Sequence, residues 1–417
     1  MRSQPGTAIN MDGRNARTAA TRFLSLDRYS IEAAPIHTLS GSRALAKIPR
    51  VVRSHSGCRG HLEVEGLTRS FFPQQHRAHM ISARMSFTVW GAFDAFRSGA
   101  VDLPVAQTRT GRASRDYLFE QLKKLPAKYP SFPRLIGTYV PYGSFARSVK
   151  IRPLDDIDAL VLLVGTGTEI SRGSSDPYTI WLRILNSSAP LAMYPDDHGF
   201  VNSTKVLNAM KAALADVPAY RKADIKRNGE AVSLSLSSYP WTFDVVPAVP
   251  VDSAQGGYAY YLIPDGSGDW KATDPRRDAA RATAANQRHN GELLPVIRLL
   301  KYWNRRVHKP RLPSYYFENL IIDAFQTADP ITTYPNAVSD LFARCSTSIW
   351  LTRPDPKGLG PPLDHDIPVE TTLKVSEAMK DAAQFASYAT MYETLRRPAD
   401  AMYWWRRVFG SDFPGYG

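Results

Sequence analysis

The chain has 417 residues, a net charge of +13 and an apolar fraction of 43%, which fit a folded protein with a full hydrophobic core. Its two cysteines, Cys58 and Cys345, exclude a cysteine-rich zinc module and argue against a disulfide framework. No apolar run is long enough to cross a bilayer, so we expect a cytoplasmic protein without a membrane partner.

The first 84 residues differ in composition from the rest. They hold 13 of the 52 Lys and Arg residues but only 5 of the 39 Asp and Glu residues, and they show no sustained helical or strand period. We expect a disordered extension; a true start at Met80 or Met85, or a transit peptide, are the alternatives. Because the positive charge is concentrated there, it is weak evidence for polynucleotide binding, which we do not expect to be required.

From Met85 onward the pattern alternates between helical and strand periods. The predicted helices cover residues 87–96, 112–125 and 203–215. The predicted strands cover residues 135–140, 156–165, 232–237 and 241–246. Together they predict an α/β unit with a small sheet over residues 85–275.

After Pro275 the pattern becomes helical. Leu293, Ile297, Leu300 and Trp303 recur at helical spacing, and a Pro- and Gly-rich loop is predicted over residues 352–369. Further helices are predicted over residues 314–324, 336–344, 375–391 and 399–409. We expect a helical C-terminal domain over residues 276–417.

Acidic side chains at the start of one predicted strand indicate chemistry. Asp156 and Asp158 are two apart, so their carboxylates face the same side and repel unless a cation lies between them. Mg²⁺ suits such oxygen ligands. Asp155 should face the other side and is left out. Gly143 and Ser144 precede the strand in a tight turn, where backbone N–H groups and a hydroxyl can meet a phosphate.

Asp244 is a lone acid in an apolar strand, where a charge is costly without a partner. It is the candidate for the third carboxylate of a two-metal site. Taken singly, the turn and each acid have ordinary explanations: a solvated turn, or an acid paired with an arginine. Their combination predicts a metal site formed by Asp156, Asp158 and Asp244.

Four segments resemble the bacterial CD-NTases, the cGAS/DncV-like members of the polymerase-β-like nucleotidyltransferase superfamily. Residues 143–158 resemble the family's Gly-Ser turn and Asp-hydrophobic-Asp motif. Residues 243–250, 293–306 and 401–414 resemble its third-aspartate strand, its lysine-bearing helix and its C-terminal helix. One departure is visible: where many relatives have Arg-Gly-Thr, this chain has Arg147-Ser148-Val149.

The resemblance implies a polymerase-β-like catalytic domain over residues 85–275, followed by a helical domain over residues 276–417 that completes the nucleotide site. It also implies an enzyme that joins nucleoside triphosphates, ATP among them, with release of pyrophosphate. The product would be a cyclic di- or trinucleotide that acts on a responsive effector protein in bacterial antiphage signalling. Two Mg²⁺ ions, or Mn²⁺ in their place, would be held by Asp156, Asp158 and Asp244. The triphosphate would be bound by Gly143, Ser144, Lys301 and Ser314.

Alternatives stay open for several residues and for the function. Lys301 could extend its ammonium to water, and Ser314 could be a helix N-cap. Trp270 could stack on a base or belong to the core. The cations Arg147, Lys150 and Arg152 could screen the charge of the triphosphates or form a solvated loop face. The rival functions are a nucleotidyltransferase that modifies RNA, protein or an antibiotic, and a non-catalytic basic nucleic-acid-binding protein.

Overall fold

A computed structural model describes residues 86–173, 176–307 and 310–417. The extension predicted over residues 1–84, with Cys58 and the alternative starts at Met80 and Met85, lies outside the described residues. Cys345 is buried and unpaired in the described part of the chain. None of the described helices is both long and apolar enough to span a bilayer.

A mixed sheet is built from the described strands. They are β1 (Leu135–Pro141), β2 (Asp156–Leu163), β3 (Thr168–Arg172), β4 (Ile180–Ile184), β5 (Asp224–Asn228), β6 (Ala231–Ser235), β7 (Thr242–Asp252), β8 (Tyr258–Pro264) and β9 (Trp270–Thr273). The order is β1-β2-β7-β8-β9-β4-β3, with β6 on β7 and β5 on β6. Only the β2–β7 pair is parallel among the described pairs. The first half of β7 therefore lies between β2 and β6.

Helices flank the sheet and form the C-terminal part. They are α1 (Val89–Phe96), α2 (Val105–Leu122), α3 (Leu125–Lys128), α4 (Gly143–Ala146), α5 (Ser203–Ala215), α6 (Pro275–Arg288), α7 (Leu293–Tyr302), α8 (Ser314–Ala324), α9 (Tyr334–Ser348), α10 (Val369–Thr394) and α11 (Pro398–Phe409). Short π-helical turns continue α1 over Arg97–Val101 and α7 over Trp303–Val307. The start of α6 is explained by capping: the Asp274 side chain accepts a hydrogen bond from the Arg276 amide, and Pro275 occupies the first helical position.

Two large apolar clusters hold these elements. One lies under the sheet, where Ile157, Phe243 and Met210 of α5 are fully buried. The other joins the C-terminal helices and also takes in α1, whose Phe93 ring lies 4.9 Å from that of Trp405. Val149 belongs to this helical cluster as well, so the segment between α4 and β2 is anchored in it. The domain boundary at residue 275 stays a prediction.

The sequence located most helices well and missed part of the sheet. The helices over 203–215 and 314–324 begin and end as predicted, whereas α2 begins at Val105 instead of residue 112. Five strands, β3, β4, β5, β8 and β9, were not predicted. Trp270 is fully buried and its indole N–H donates to the Val201 carbonyl at 2.8 Å. It is therefore a core residue and is not placed to stack on a base.

Candidate active site

The parallel pairing of β2 with β7 brings two acids together. Asp158 and Asp244 are direct partners in the ladder, so their side chains lie next to each other on the same face of the sheet. Ser233 lies opposite Asp244 on β6 and donates its hydroxyl to that carboxylate. The ion pairs around them engage other acids, Asp155, Asp156 and Glu318. The Asp158–Asp244 pair is thus a concentration of negative charge.

The electrostatics of this pair favour a cation. Burial, and then the negative charge of Asp244, raise the pKa of Asp158 to about 6. Two adjacent carboxylates in a poorly solvated place lose hydration and repel each other. A hard divalent ion bound between them offsets both the lost hydration and the repulsion. The donor set therefore fits Mg²⁺ or Mn²⁺.

Gly143 lies directly against Asp158. Its φ of +71° is in the left-handed region, and a Cβ atom at this position would overlap Oδ2 of Asp158. Residue 143 also begins α4, which is fixed to the core by the buried Phe145 ring. The predicted neighbourhood of the Gly-Ser turn and the strand acids is therefore present in the structure.

Asp156 has a different environment from Asp158. The buried Lys150 ammonium donates to Oδ1 of Asp156 and also contacts Asp155, whose other oxygen accepts from Arg305 at 2.5 Å. Asp155, which we left out as facing the other side, directly precedes the first residue of β2 and shares the Lys150 ammonium with Asp156. In the described ranges, no group of three or more Asp, Glu, His or Cys residues is arranged to hold a metal. The metal roles of Asp156, Asp158 and Asp244 stay predictions.

A cleft of about 370 Å³ lies beside the acids. It brings together four residues of the predicted metal and triphosphate sites, Ser144, Asp156, Lys301 and Ser314. Its lining holds more cations than acids: Lys150, Lys301, Arg305 and Arg311 against Asp155 and Asp156. Such a cleft is suited to a polyanion such as a triphosphate. Ser314 is the first residue of α8, and the N-cap position belongs to Pro313.

Lys301 is buried, with 6% of its surface exposed, and does not extend into open water. Burial is the main cause that lowers its pKa to about 8, against the attraction of Glu318, whose Oε2 lies 3.9 Å away. Glu318 is itself 2% exposed and accepts two bonds from the Arg147 guanidinium, at 2.7 and 3.1 Å. The sequence analysis missed Glu318, although an acid inside the apolar α8 is the same kind of signal as Asp244.

The three cations before β2 all have protein partners, so a solvated loop face was the wrong interpretation. Arg147 binds Glu318, Lys150 binds Asp155 and Asp156, and Arg152 donates to the carbonyls of Ser98 and Asp102.

The departure from the family motif at Arg147-Ser148-Val149 also has a structural consequence. Ser148 has a φ of +61°, a region that favours glycine.

Comparison with known proteins identifies the family. No protein-family model matches the chain. Over 331 residues, however, it is 38% identical to a Bacillus cereus protein named probable cyclic nucleotide synthase, a match that covers 79% of this chain and 98% of that relative. This chain is a bacterial CD-NTase. As an enzyme it is a nucleotidyltransferase of the cyclic nucleotide synthase type.

One further curated relative and two solved structures are similar to this CD-NTase. A segment of 101 residues, 24% of this chain and 26% of the relative, is 33% identical to a cyclic AMP-AMP-AMP synthase of Acinetobacter. The fold is similar to that of CdnC from Escherichia coli MS115-1 with ATP, with a TM-score of 0.58 at 19% identity over 78% of this chain and 99% of that one. It is also similar to the cyclic AMP-GMP synthase DncV of Vibrio cholerae, with a TM-score of 0.54 at 11% identity over 80% and 98%. The predicted fold class, a nucleotidyltransferase sheet followed by helices, is confirmed.

Proposed function

We propose that this CD-NTase makes a cyclic di- or trinucleotide from nucleoside triphosphates, ATP among them, in a reaction that depends on Mg²⁺. The observation that carries the proposal is the in-register pair Asp158–Asp244, placed against Gly143 and beside a cationic cleft. The product would act in the cytoplasm on a responsive effector protein, as part of antiphage signalling.

The roles of the residues follow from their positions. Asp156, Asp158 and Asp244 would hold two Mg²⁺ ions, with Mn²⁺ as a substitute. When bound, these ions supply a lower pKa for the attacking 2′- or 3′-hydroxyl and charge neutralisation for the leaving pyrophosphate. Ser144, Lys301 and Ser314 would bind the triphosphate from the walls of the cleft. Gly143 would let its backbone approach the phosphates, since it has no side chain in the way.

The ring size of the product is left open by the relatives. The Acinetobacter relative is named for a product with three adenylates, and the Vibrio protein for one with an adenylate and a guanylate. Both names include adenine, which supports ATP as a substrate here. Mass spectrometry of the product from an equimolar mixture of the four triphosphates would identify the bases and the ring size.

The decisive experiment supplies triphosphates and Mg²⁺ without an acceptor. We expect small products that resist phosphatase, since a cyclic product has no terminal phosphate. Asp158→Asn should lower their yield at least about 100-fold with the fold intact, because the carboxylate beside Asp244 is gone. The matched control is Asp340→Asn on the exposed face of α9, which should retain full yield.

Other outcomes would favour the rival functions. Transfer only when RNA, a protein or an antibiotic is added would indicate a modifying transferase. No product under any condition, together with salt-dependent DNA binding that persists without residues 1–84, would indicate a nucleic-acid-binding protein. For the biological role, cells that carry the synthase and its effector should resist phage, and Asp158→Asn should remove that resistance.

A further inference from the structure

Lys150 lines the cleft, and none of the residue roles proposed above is assigned to it. It lies between two core residues, Val149 and Ile151, and only 9% of its surface is exposed. Its ammonium is directed into the cleft, where it forms ion pairs with both Asp156 and Asp155. Asp156 is one of the three acids proposed as metal ligands, so the ammonium and a metal ion would need the same carboxylate oxygens.

We propose that Lys150 is a resident cation that holds Asp156 in the metal-free enzyme and is taken over by Asp155 when a divalent ion binds. On this view Lys150 and Asp155 together set the metal affinity of the active site. The inference rests on the proposed metal site and adds to it a residue pair that controls loading.

The metal-free enzyme gains from this arrangement. Without a cation, Asp156 would add a third negative charge close to Asp158 and Asp244, which already repel each other. An ammonium in contact with Asp156 neutralises that charge without a metal. The backbone of residue 150 cannot follow the ammonium far, because its neighbours are anchored in the helical core. The ammonium can therefore change partners but stays in the cleft.

Asp155 makes the change of partner inexpensive. Its Oδ1 already contacts the Lys150 ammonium, and its Oδ2 is fixed by Arg305 at 2.5 Å. A buried lysine that lost its only acid would carry a large desolvation cost. Lys150 instead keeps its ion pair with Asp155 when Asp156 binds a metal ion. Competition from Lys150 therefore weakens metal binding but does not prevent it.

The test measures Mn²⁺ binding to the full chain without nucleotide, by the electron paramagnetic resonance signal of the free ion. Lys150→Met should raise the affinity about tenfold, because nothing competes for Asp156. Asp155→Asn should lower it about threefold or more, because Lys150 is left with Asp156 alone. Lys150→Gln serves as a second variant if the Met variant does not fold.

A control separates competition from a general change of charge. Arg311→Met removes a positive charge from the lining of the same cleft but leaves the Lys150–Asp156 and Arg305–Asp155 contacts in place. We expect its affinity to rise less than about threefold. An equal rise in Lys150→Met and Arg311→Met would overturn the inference, because the effect would then come from the general electrostatic field.

The outcomes also distinguish this inference from the proposed metal site. If the wild-type chain binds Mn²⁺ and Lys150→Met binds it equally well, only the inference on Lys150 is overturned. If Asp158→Asn binds Mn²⁺ as the wild type does, or if no variant binds it, the proposed metal site is overturned and the inference with it. A rise in Lys150→Met with a fall in Asp155→Asn supports both.

Discussion

Gly143 and Asp158 approach each other so closely that the site depends on a missing side chain. Gly143→Ala would place a methyl group on Oδ2 of Asp158 and strain a backbone with φ of +71°. We expect product formation to fall about 100-fold, because the turn or the carboxylate must move by an ångström or so. The rate of product formation in triphosphate and Mg²⁺, measured on folded protein, checks this.

Gly229 provides the matched control for that substitution. It also has a positive φ, +54°, in the turn between β5 and β6, but a Cβ there would meet nothing within 4 Å. Gly229→Ala should therefore carry a similar backbone cost, about 1 kcal/mol, with unchanged catalysis. If both variants lost activity equally, strain in the fold and not contact with Asp158 would be the cause.

The proposed triphosphate ligand Lys301 lowers the stability of the folded chain. Burial lowers its pKa to about 8 from an ordinary value of 10.5, so the folded chain disfavours the ammonium form. The cost is present in full at neutral pH and fades as the pH rises from about 8 to above 10. Lys301→Met should therefore raise the free energy of unfolding by about 2 kcal/mol at pH 7 and weaken triphosphate binding.

Urea unfolding at two pH values checks the sign of this effect. The stabilising effect of Lys301→Met should be present at pH 7 and nearly absent above about pH 11.5, where the wild-type lysine is neutral in both states. A Met variant less stable than the wild type at pH 7 would contradict the expectation. It would mean that the attraction of Glu318 outweighs the burial of the ammonium.

At the scale of elements, α8 is joined to the Gly-Ser segment by a buried ion pair. Glu318 of α8 holds Arg147 through two bonds and lies near Lys301 of α7. Glu318→Gln keeps the shape but leaves two buried cations facing each other without a counter-charge. We expect a loss of about 3 kcal/mol in the free energy of unfolding, measured by urea denaturation.

The exposed pair Glu370–Lys374 on α10 is the control for this substitution. Glu370→Gln removes the same charge where water solvates both partners, so we expect no measurable change in stability. Equal effects at the two positions would show that the burial of Glu318 does not matter. A loss confined to Glu318→Gln would show that the ion pair holds the two elements together.

Elements with a strong apolar period could be predicted from the sequence, and the others could not. α5 and α8 have amphipathic patterns with clear ends, and both were placed correctly. β5 reads DIKRN and is mostly exposed, so it carries no alternation that a pattern could detect. β9 has only four residues. Such strands form because a neighbour offers hydrogen bonds, which is a property of the sheet and not of their own residues.

The candidate site was predictable only as far as its residues follow strand periodicity. Asp158 and Asp244 were singled out correctly as neighbours because each lies within an apolar strand. The contacts of Asp155 and Lys150 depend on where β2 begins, and a shift of one residue changes which side an acid faces. Glu318 is distant in sequence from Arg147, so its role required the tertiary packing of α8.

At the scale of the whole molecule, α1 belongs to the helical core although it precedes the sheet. Phe93 is fully buried and contacts the rings of Trp405 and Phe413, at 4.9 and 5.1 Å. Phe93→Ala should lower the free energy of unfolding by about 4 kcal/mol, because it leaves a cavity among aromatic rings. The neighbouring Trp90 is 70% exposed, so Trp90→Ala should have little effect in the same unfolding assay.

The packing of α1 next to α11 brings residue 86 to the end of the chain. The Ser86 amide donates to the Gly415 carbonyl at 3.1 Å, and the Phe87 ring lies edge-on to Tyr416 at 5.8 Å. A fusion partner or affinity tag attached directly after Gly417 would therefore press on the first turn of α1. Within residues 86–417 the same closeness makes circular permutation feasible: a few residues suffice to join 417 to 86, and new ends can open in the exposed hairpin at Gly229.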